Sequence, residues 1–235
     1  MTWEGARPVS YWVCALYAVC VKIAVLASGS GTILDAMVSQ GIGIDAVLVD
    51  RPCRAEELAL GHGIALLRCY RDTFGAGFDR MEYSARVAGE LESAGIELLA
   101  MAGYGTVLDQ PVHDLYAGRI LNTHPSLLPA FPGWHAVREA LHYGVRVTGC
   151  TVHLATLEVD AGPILAQQAV EIHYGDDEAR LHERIKSVER RLYPETLRVF
   201  DAYLEQGASG EFFAFQQSFT NLSAQNASTM QGSRK

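Results

Sequence analysis

From residue 22 onward, short and almost unbroken apolar runs alternate with stretches whose apolar residues recur at helical spacing. The runs cover 22–27, 44–50, 64–69, 96–101 and 119–123 and are rich in Val, Ile and Leu. Runs of this length without polar alternation read as strands buried on both faces. Between them, 32–40, 53–61, 79–94 and 109–117 read as helices. The alternation predicts right-handed βαβ units and an α/β fold: a mostly parallel twisted sheet with helices on both faces. After Pro125 the texture changes. Pro125, Pro129, Pro132 and Gly133 mark a loop, 134–143 a helix, and 147–155 and 163–172 two further strands. Asp176 and Asp177 stand where they can cap a long amphipathic helix. Its buried stripe is Leu181, Ile185, Val188 and Leu192, and Gly207 is a natural stop. Pro194 should kink that helix.

These boundaries divide the chain into an N-terminal appendage (1–21), one domain (22–207) and a C-terminal tail (208–235). Residues 216–235 have little apolar content and no periodicity, and the tail is expected to be mostly disordered. Residues 1–21 have the form of a secretory signal, an apolar segment with Ala18 and Cys20 near its end. However, Glu4 and Arg7 cancel, no basic cluster precedes the apolar part, and strand one begins at Lys22 without a linker. The segment is expected to be dispensable and the protein cytoplasmic.

Composition then narrows the function. The 235 residues are 49% hydrophobic and 20% charged, with net charge −8, an ordinary globular profile. Without a global basic field, nucleic acid is not an expected partner, and an anionic substrate needs a local site. Pro8–Val21, 14 residues without a charge, falls short of the roughly 20 needed to span a membrane. The five cysteines are scattered without a C-x-x-C pair, and the eight histidines form no H-E-x-x-H. Neither a disulfide scaffold nor a structural zinc site is expected.

Three segments carry candidate chemistry. Ser28-Gly-Ser-Gly31-Thr-Ile33 follows strand one and opens helix one, where glycines permit a tight turn and free amides can bind an anion such as a phosphate. With Asp50 at the end of strand two, it also has the outline of a dinucleotide site, but Leu34 occupies the place of the third glycine in G-x-G-x-x-G. A phosphate monoester, a dinucleotide and a merely structural turn are all readings of this loop. In Leu121-Asn-Thr-His-Pro-Ser-Leu-Leu-Pro129, Asn122 and His124 lie two apart at a strand end, so both side chains leave one face. An amide donor beside an imidazole can bind and protonate a developing oxyanion. A lone histidine is more often structural; the neighbouring amide and the strand-end position favour function. Third, Val152-His153-Leu154 precedes Glu158-Val-Asp160-Ala-Gly-Pro163, where a carboxylate in a Gly-Pro turn is ordinarily turn chemistry.

In this order, the glycine loop, N-T-H-P-S-L-L-P-A-F-P-G and V-H-L-x(5)-D-A-G-P resemble the phosphoribosylglycinamide formyltransferases over about Lys22 to Gly207. Leu181-His-Glu-Arg-Ile-Lys186 and Glu189-Arg-Arg-Leu-Tyr-Pro194 match the same branch. The resemblance implies a Rossmann-like formyltransferase fold. It also implies transfer of a formyl group from the cosubstrate 10-formyltetrahydrofolate to the amine of glycinamide ribonucleotide, in de novo purine biosynthesis. Small-molecule substrates, no metal, and a chain compatible with a homodimer belong to the same implication. Asn122 and His124 match the oxyanion-binding amide and the general acid, and Asp160 matches the carboxylate that favours the charged histidine. Gly31, Thr32 and Ile33 match the loop whose amides hold the substrate phosphate. Glu189 matches an acid contacting the nucleotide, and Lys186, one turn earlier, adds a cation. Met101-Ala-Gly-Tyr104 followed by Gly105, Thr106, Val107 and Leu108 matches the segment whose backbone meets the pterin, with Asn122 beside it.

Two departures stand out. Ile33 replaces an Asn common in the family, leaving only backbone for the phosphate there. Gly105-Thr106 replaces Met-Arg, so a guanidinium is lost. Around 72–78 the match slides, and no contact to the folate glutamate tail is assigned. A 10-formyltetrahydrofolate hydrolase is expected to carry a further domain before the glycine loop, where only 21 residues stand. A methionyl-tRNA formyltransferase is expected to carry one after residue 207 and suits a net charge of −8 poorly. A dehydrogenase lacks its third glycine, and a non-catalytic nucleotide-binding module does not call for Asn122, His124 and Asp160 together.

Overall fold

The computed structural model describes residues 21–205. The expectations for residues 1–20, for a stop at Gly207 and for the tail lie outside the described residues. In chain order the elements are β1 (Ile23–Ala27), α1 (Thr32–Ser39), β2 (Ala46–Val49), α2 (Arg54–Gly61), β3 (Ala65–Arg68), α3 (Arg80–Ser93) and β4 (Leu98–Met101). They continue with α4 (Gln110–Leu115), β5 (Ile120–His124), α5 (Ala136–Tyr143), β6 (Val147–Leu154), β7 (Ile164–Glu171) and α6 (Glu178–Glu205). One sheet runs β3-β2-β1-β4-β5-β6-β7. The first five strands in that order are parallel, and β6 and β7 join antiparallel.

The two-residue period of each strand divides the core between the faces of the sheet. Ile23, Val25 and Ala27 of β1 pack with Leu34 and Met37 of α1, Ala55 and Ala59 of α2, and Leu181, Ile185 and Tyr193 of α6. Ala24 and Leu26 face the other way, against Tyr83, Val87 and Leu91 of α3 and Val112 of α4. The run 64–69 departs from the expectation of burial on both faces. β3 is the edge of the sheet, and its residues are exposed or half-buried. A strand with one neighbour keeps an open side, and Arg68, paired with Glu56 at 3.2 Å, puts charge on that edge. α4 closes at Leu115, short of the expected 117.

α6 starts where the paired acids stand: Asp177 Oδ1 accepts the Arg180 N–H at 2.8 Å. Leu181, Ile185 and Leu192 are buried and Val188 is packed against them. The helix spans Pro194 without a break. Pro194 has no N–H for the Arg190 carbonyl one turn back. The Gln40 side chain donates to that carbonyl at 2.9 Å instead, which satisfies the orphaned acceptor from α1's C-terminal end. Tyr193 in turn donates its hydroxyl to the Leu121 carbonyl at 2.8 Å, tying α6 to β5 directly before Asn122.

Near its end α6 carries a destabilising carboxyl. Burial, then the nearby Glu205 and Asp45, push Asp201 up to about 6, and its Oδ1 has no hydrogen-bond partner among the described residues. The folded state therefore keeps a proton that the unfolded chain releases near 4, so stability falls as pH rises between about 4 and 6. Asp201→Asn is expected to recover on the order of 1–2 kcal/mol at pH 7.5, several degrees in Tm, with little gain at pH 4. Thermal melts at the two pH values check this; equal Tm changes at both would contradict it.

Candidate active site

The strand order reverses at β1, whose chain proceeds to β2 and β3 on one side and returns to β4 on the other. Parallel sheets leave a crevice at the carboxyl ends of such a pair. A cleft of about 410 Å³ opens there, lined by Gly29–Ile33 after β1, Met101–Leu108 after β4, Asn122–Pro125 on β5, Asp160, and His182, Lys186 and Glu189 on α6. It brings together Gly31, Thr32, Ile33, Gly105, Thr106, Val107, Leu108, Asn122, His124, Asp160, Lys186 and Glu189, but not Asp50.

Asn122 and His124 occupy β5 positions paired with His153 and Thr151 of β6. Asp160 arrives from the turn after β6, where its φ of 57° is the left-handed conformation that Asp tolerates better than most residues. The turn folds so tightly that a Cβ at Gly162 would lie 1.8 Å from the Leu154 carbonyl oxygen. Its effect is to aim the carboxylate inward. Asp160 Oδ2 lies 3.3 Å from His124 Nδ1, and both side chains are only 6% exposed. The same oxygen accepts the Gly133 N–H at 2.7 Å. His124 Nε2 lies 2.7 Å from the Phe131 carbonyl, so each ring nitrogen faces an acceptor oxygen.

His153 has no role in the sequence reading, yet its Nε2 lies 3.3 Å from Asn122 Nδ2 and 3.7 Å from Asp160 Oδ1. Burial pushes its pKa down and favours the neutral ring. Nδ1 lies 3.1 Å from the Leu154 carbonyl and therefore carries the hydrogen, leaving Nε2 to accept from Asn122 Nδ2 at 3.3 Å. The cross-strand pairing of 122 with 153 is the signal, and it exists only once β5 and β6 are known to be antiparallel. Thr123 is a second residue the sequence did not mark. It points to the opposite face and donates to Glu189 at 2.8 Å. Burial pushes the Glu189 carboxyl up, while Thr123 and Lys186 counter it.

At the other end of the cleft Gly31 precedes α1 with φ 67°, and an added Cβ would also meet Leu58 and the Ala55 backbone. Glycine is needed there for the backbone path, which leaves the following amides at the positive end of α1. The Ile33 side chain is 6% exposed and packs in the core, so only its main chain faces the cleft. Asp50, which had the outline of a dinucleotide's ribose ligand, is fully buried and bonded to Arg51 and Thr106. It has no free oxygen directed at the cleft, and the dinucleotide reading fails. His182 and the 73%-exposed Trp134 also line the cleft without having been foreseen.

The sequence profile of the formyl transferase family matches residues 21–197. The phosphoribosylglycinamide formyltransferase of Mycobacterium tuberculosis is 42% identical over 176 residues, 73% of this chain and 80% of that protein. A segment of the trifunctional purine biosynthetic protein adenosine-3 of Gallus gallus is 37% identical over 199 residues, covering 81% of this chain and 20% of that one. Among solved structures, glycinamide ribonucleotide transformylase 1 from Symbiobacterium toebii superposes with a TM-score of 0.71 at 39% identity, covering 77% of this chain and 88% of that one.

Proposed function

The chain belongs to the formyl transferase family, and on that premise we propose that it is a phosphoribosylglycinamide formyltransferase. It moves the formyl group of 10-formyltetrahydrofolate to the amine of glycinamide ribonucleotide. One observation carries this reading: an amide, an imidazole and a carboxylate meet at the strand-end cleft, between a phosphate-type helix N-terminus and a main-chain-lined segment. The folate is a cosubstrate, and the chemistry asked of the protein needs no metal. Both substrates are small molecules, and the protein works in the cytoplasm, with neither nucleic acid nor a membrane as partner. No helix among the described residues is long and apolar enough to cross a membrane.

The residues divide the work by position. The amides of Gly31, Thr32 and Ile33 and the Lys186 ammonium hold the nucleotide phosphate, and Glu189 lies beside them. The main chain of Gly105–Leu108 and the Asn122 side chain hold the folate. As the amine attacks the formyl carbon, Asn122 and His124 donate hydrogen bonds to the oxygen that gains negative charge. As the C–N bond to the folate breaks, His124 gives its proton to the departing nitrogen, and the neutral imidazole then takes the proton that the attacking amine loses, so the proton count closes. Donation from Nε2 requires the Phe131 carbonyl to yield its hydrogen bond. Asp160 supplies the counter-charge for the imidazolium.

Two measurements test this. Tetrahydrofolate release, followed by absorbance, is expected only when glycinamide ribonucleotide is added; release without the acceptor would make the protein a hydrolase. Lys186→Met should raise the nucleotide KM about 10-fold, as loss of a charge-assisted contact does, with the folate KM within about twofold. A rise confined to the folate KM would place Lys186 in the wrong half of the cleft.

A further inference from the structure

We propose that Asp50, together with Arg51 and Thr106, is a positioning unit for the folate-side segment, so that folate affinity is set partly from the end of β2. The inference rests on the reading of Gly105–Leu108 as the folate segment. Asp50 itself does not line the cleft, and neither does Arg51.

The argument begins with a carboxylate that has no access to water: Asp50 is 0% exposed. A buried charge survives only if it is paired and hydrogen-bonded. Arg51 supplies a two-pronged partner, with Nε and Nη2 each donating at 2.9 Å. The Thr106 hydroxyl supplies the third hydrogen bond at 2.6 Å, and Thr106 is 2% exposed. Burial alone would push the Asp50 carboxyl up; the hydrogen bonds from Arg51, Thr106 and Ser28 overcome it and hold the group below the usual carboxylate range. The acceptor is therefore charged, and its hydrogen bond to Thr106 is charge-assisted.

That hydrogen bond reaches the middle of the segment that lines the cleft. The residue before it is tied down as well, since the Gly105 N–H donates to Ser28 Oγ at 2.6 Å. A Cβ at Gly105 would stand 3.1 Å from Arg51 Nη2, so the guanidinium packs against a bare Cα. Arg71 approaches the Thr106 hydroxyl from beyond β3 at 3.3 Å, and both guanidiniums lie over the Phe74 ring, at 4.4 and 4.5 Å. Gly105 and Thr106 are thus anchored from the ends of β1 and β2, while their main chain faces the cleft. A segment that binds by main chain needs such a scaffold, because its own side chains do not hold it against the ligand.

Thr106→Val keeps the shape, removes the hydroxyl and leaves Asp50 paired with Arg51, so the fold is expected to survive. Thr106→Ser restores the hydroxyl. The Val variant should raise the folate KM about 10-fold, as the loss of one charge-assisted hydrogen bond does, with the nucleotide KM within about twofold. The Ser variant should return most of that loss. Asp50→Asn should raise the folate KM in the same direction, and adding Thr106→Val to it should add little, because both act through one hydrogen bond. A lower Tm with both KM values unchanged would overturn the inference and leave Asp50 a structural ion-pair partner. A rise confined to the nucleotide KM would instead overturn the folate assignment of the segment.

Discussion

Asp160→Asn is expected to lower kcat on the order of 100-fold while leaving the nucleotide KM nearly unchanged. The substitution keeps size and shape, and Asn tolerates the left-handed φ of 57° as Asp does, so the turn should persist. What is lost is the negative charge 3.3 Å from His124 Nδ1, on a pair that solvent barely reaches. Charges interact strongly where water is excluded, so the imidazolium loses its nearest stabiliser. The donor facing the oxyanion then lacks the counter-charge that the 3.3 Å contact supplied in the parent protein. Kinetics of the two proteins at neutral pH, with Tm measured alongside, check this. Near-normal turnover in the variant would return Asp160 to the role of a turn residue before Gly162.

Asn122→Ala is expected to cost 10²–10³-fold in kcat, the range seen when one preorganised oxyanion donor is removed. The preorganisation is visible. The amide is held by His153 Nε2 at 3.3 Å, and His153 is itself held by the Leu154 carbonyl. Because the oxyanion exists only during reaction, the loss should fall mainly on kcat, with a smaller rise in the folate KM. If both KM values rose tenfold while kcat stayed within a factor of about three, Asn122 would be a ground-state contact only.

The sequence reached much of this arrangement because the relevant signals are local. Apolar runs at 22–27, 44–50, 96–101 and 119–123 mark strands buried on both faces, and a two-residue spacing places Asn122 and His124 on one face. The limits are equally physical. The run 64–69 is as apolar as the others, but strand order decides which run is the edge, and order is not encoded in any one run. That a side chain satisfies the Arg190 carbonyl left bare by Pro194 is not legible either, because that residue, Gln40, lies 150 positions away. His153 and Thr123 were passed over because their partners, Asn122 across the ladder and Glu189 on α6, are brought near only by tertiary structure. The setting of Asp50 is hidden for the same reason: its partner Thr106 is 56 residues distant. Where a role depends on chemistry within one segment, as for Asn122 and His124, the residues expose it; Asp160, whose partner His124 lies on another element, is reached only through the family resemblance.

On the proposed function one cleft holds both substrates and passes the formyl group directly between them. The measurement that bears on it most directly is the fate of an isotopically labelled formyl carbon, with 10-formyltetrahydrofolate as donor and glycinamide ribonucleotide present. The account predicts one labelled formamide on the nucleotide for each tetrahydrofolate released, and no labelled formate. Labelled formate formed in place of labelled nucleotide would contradict it.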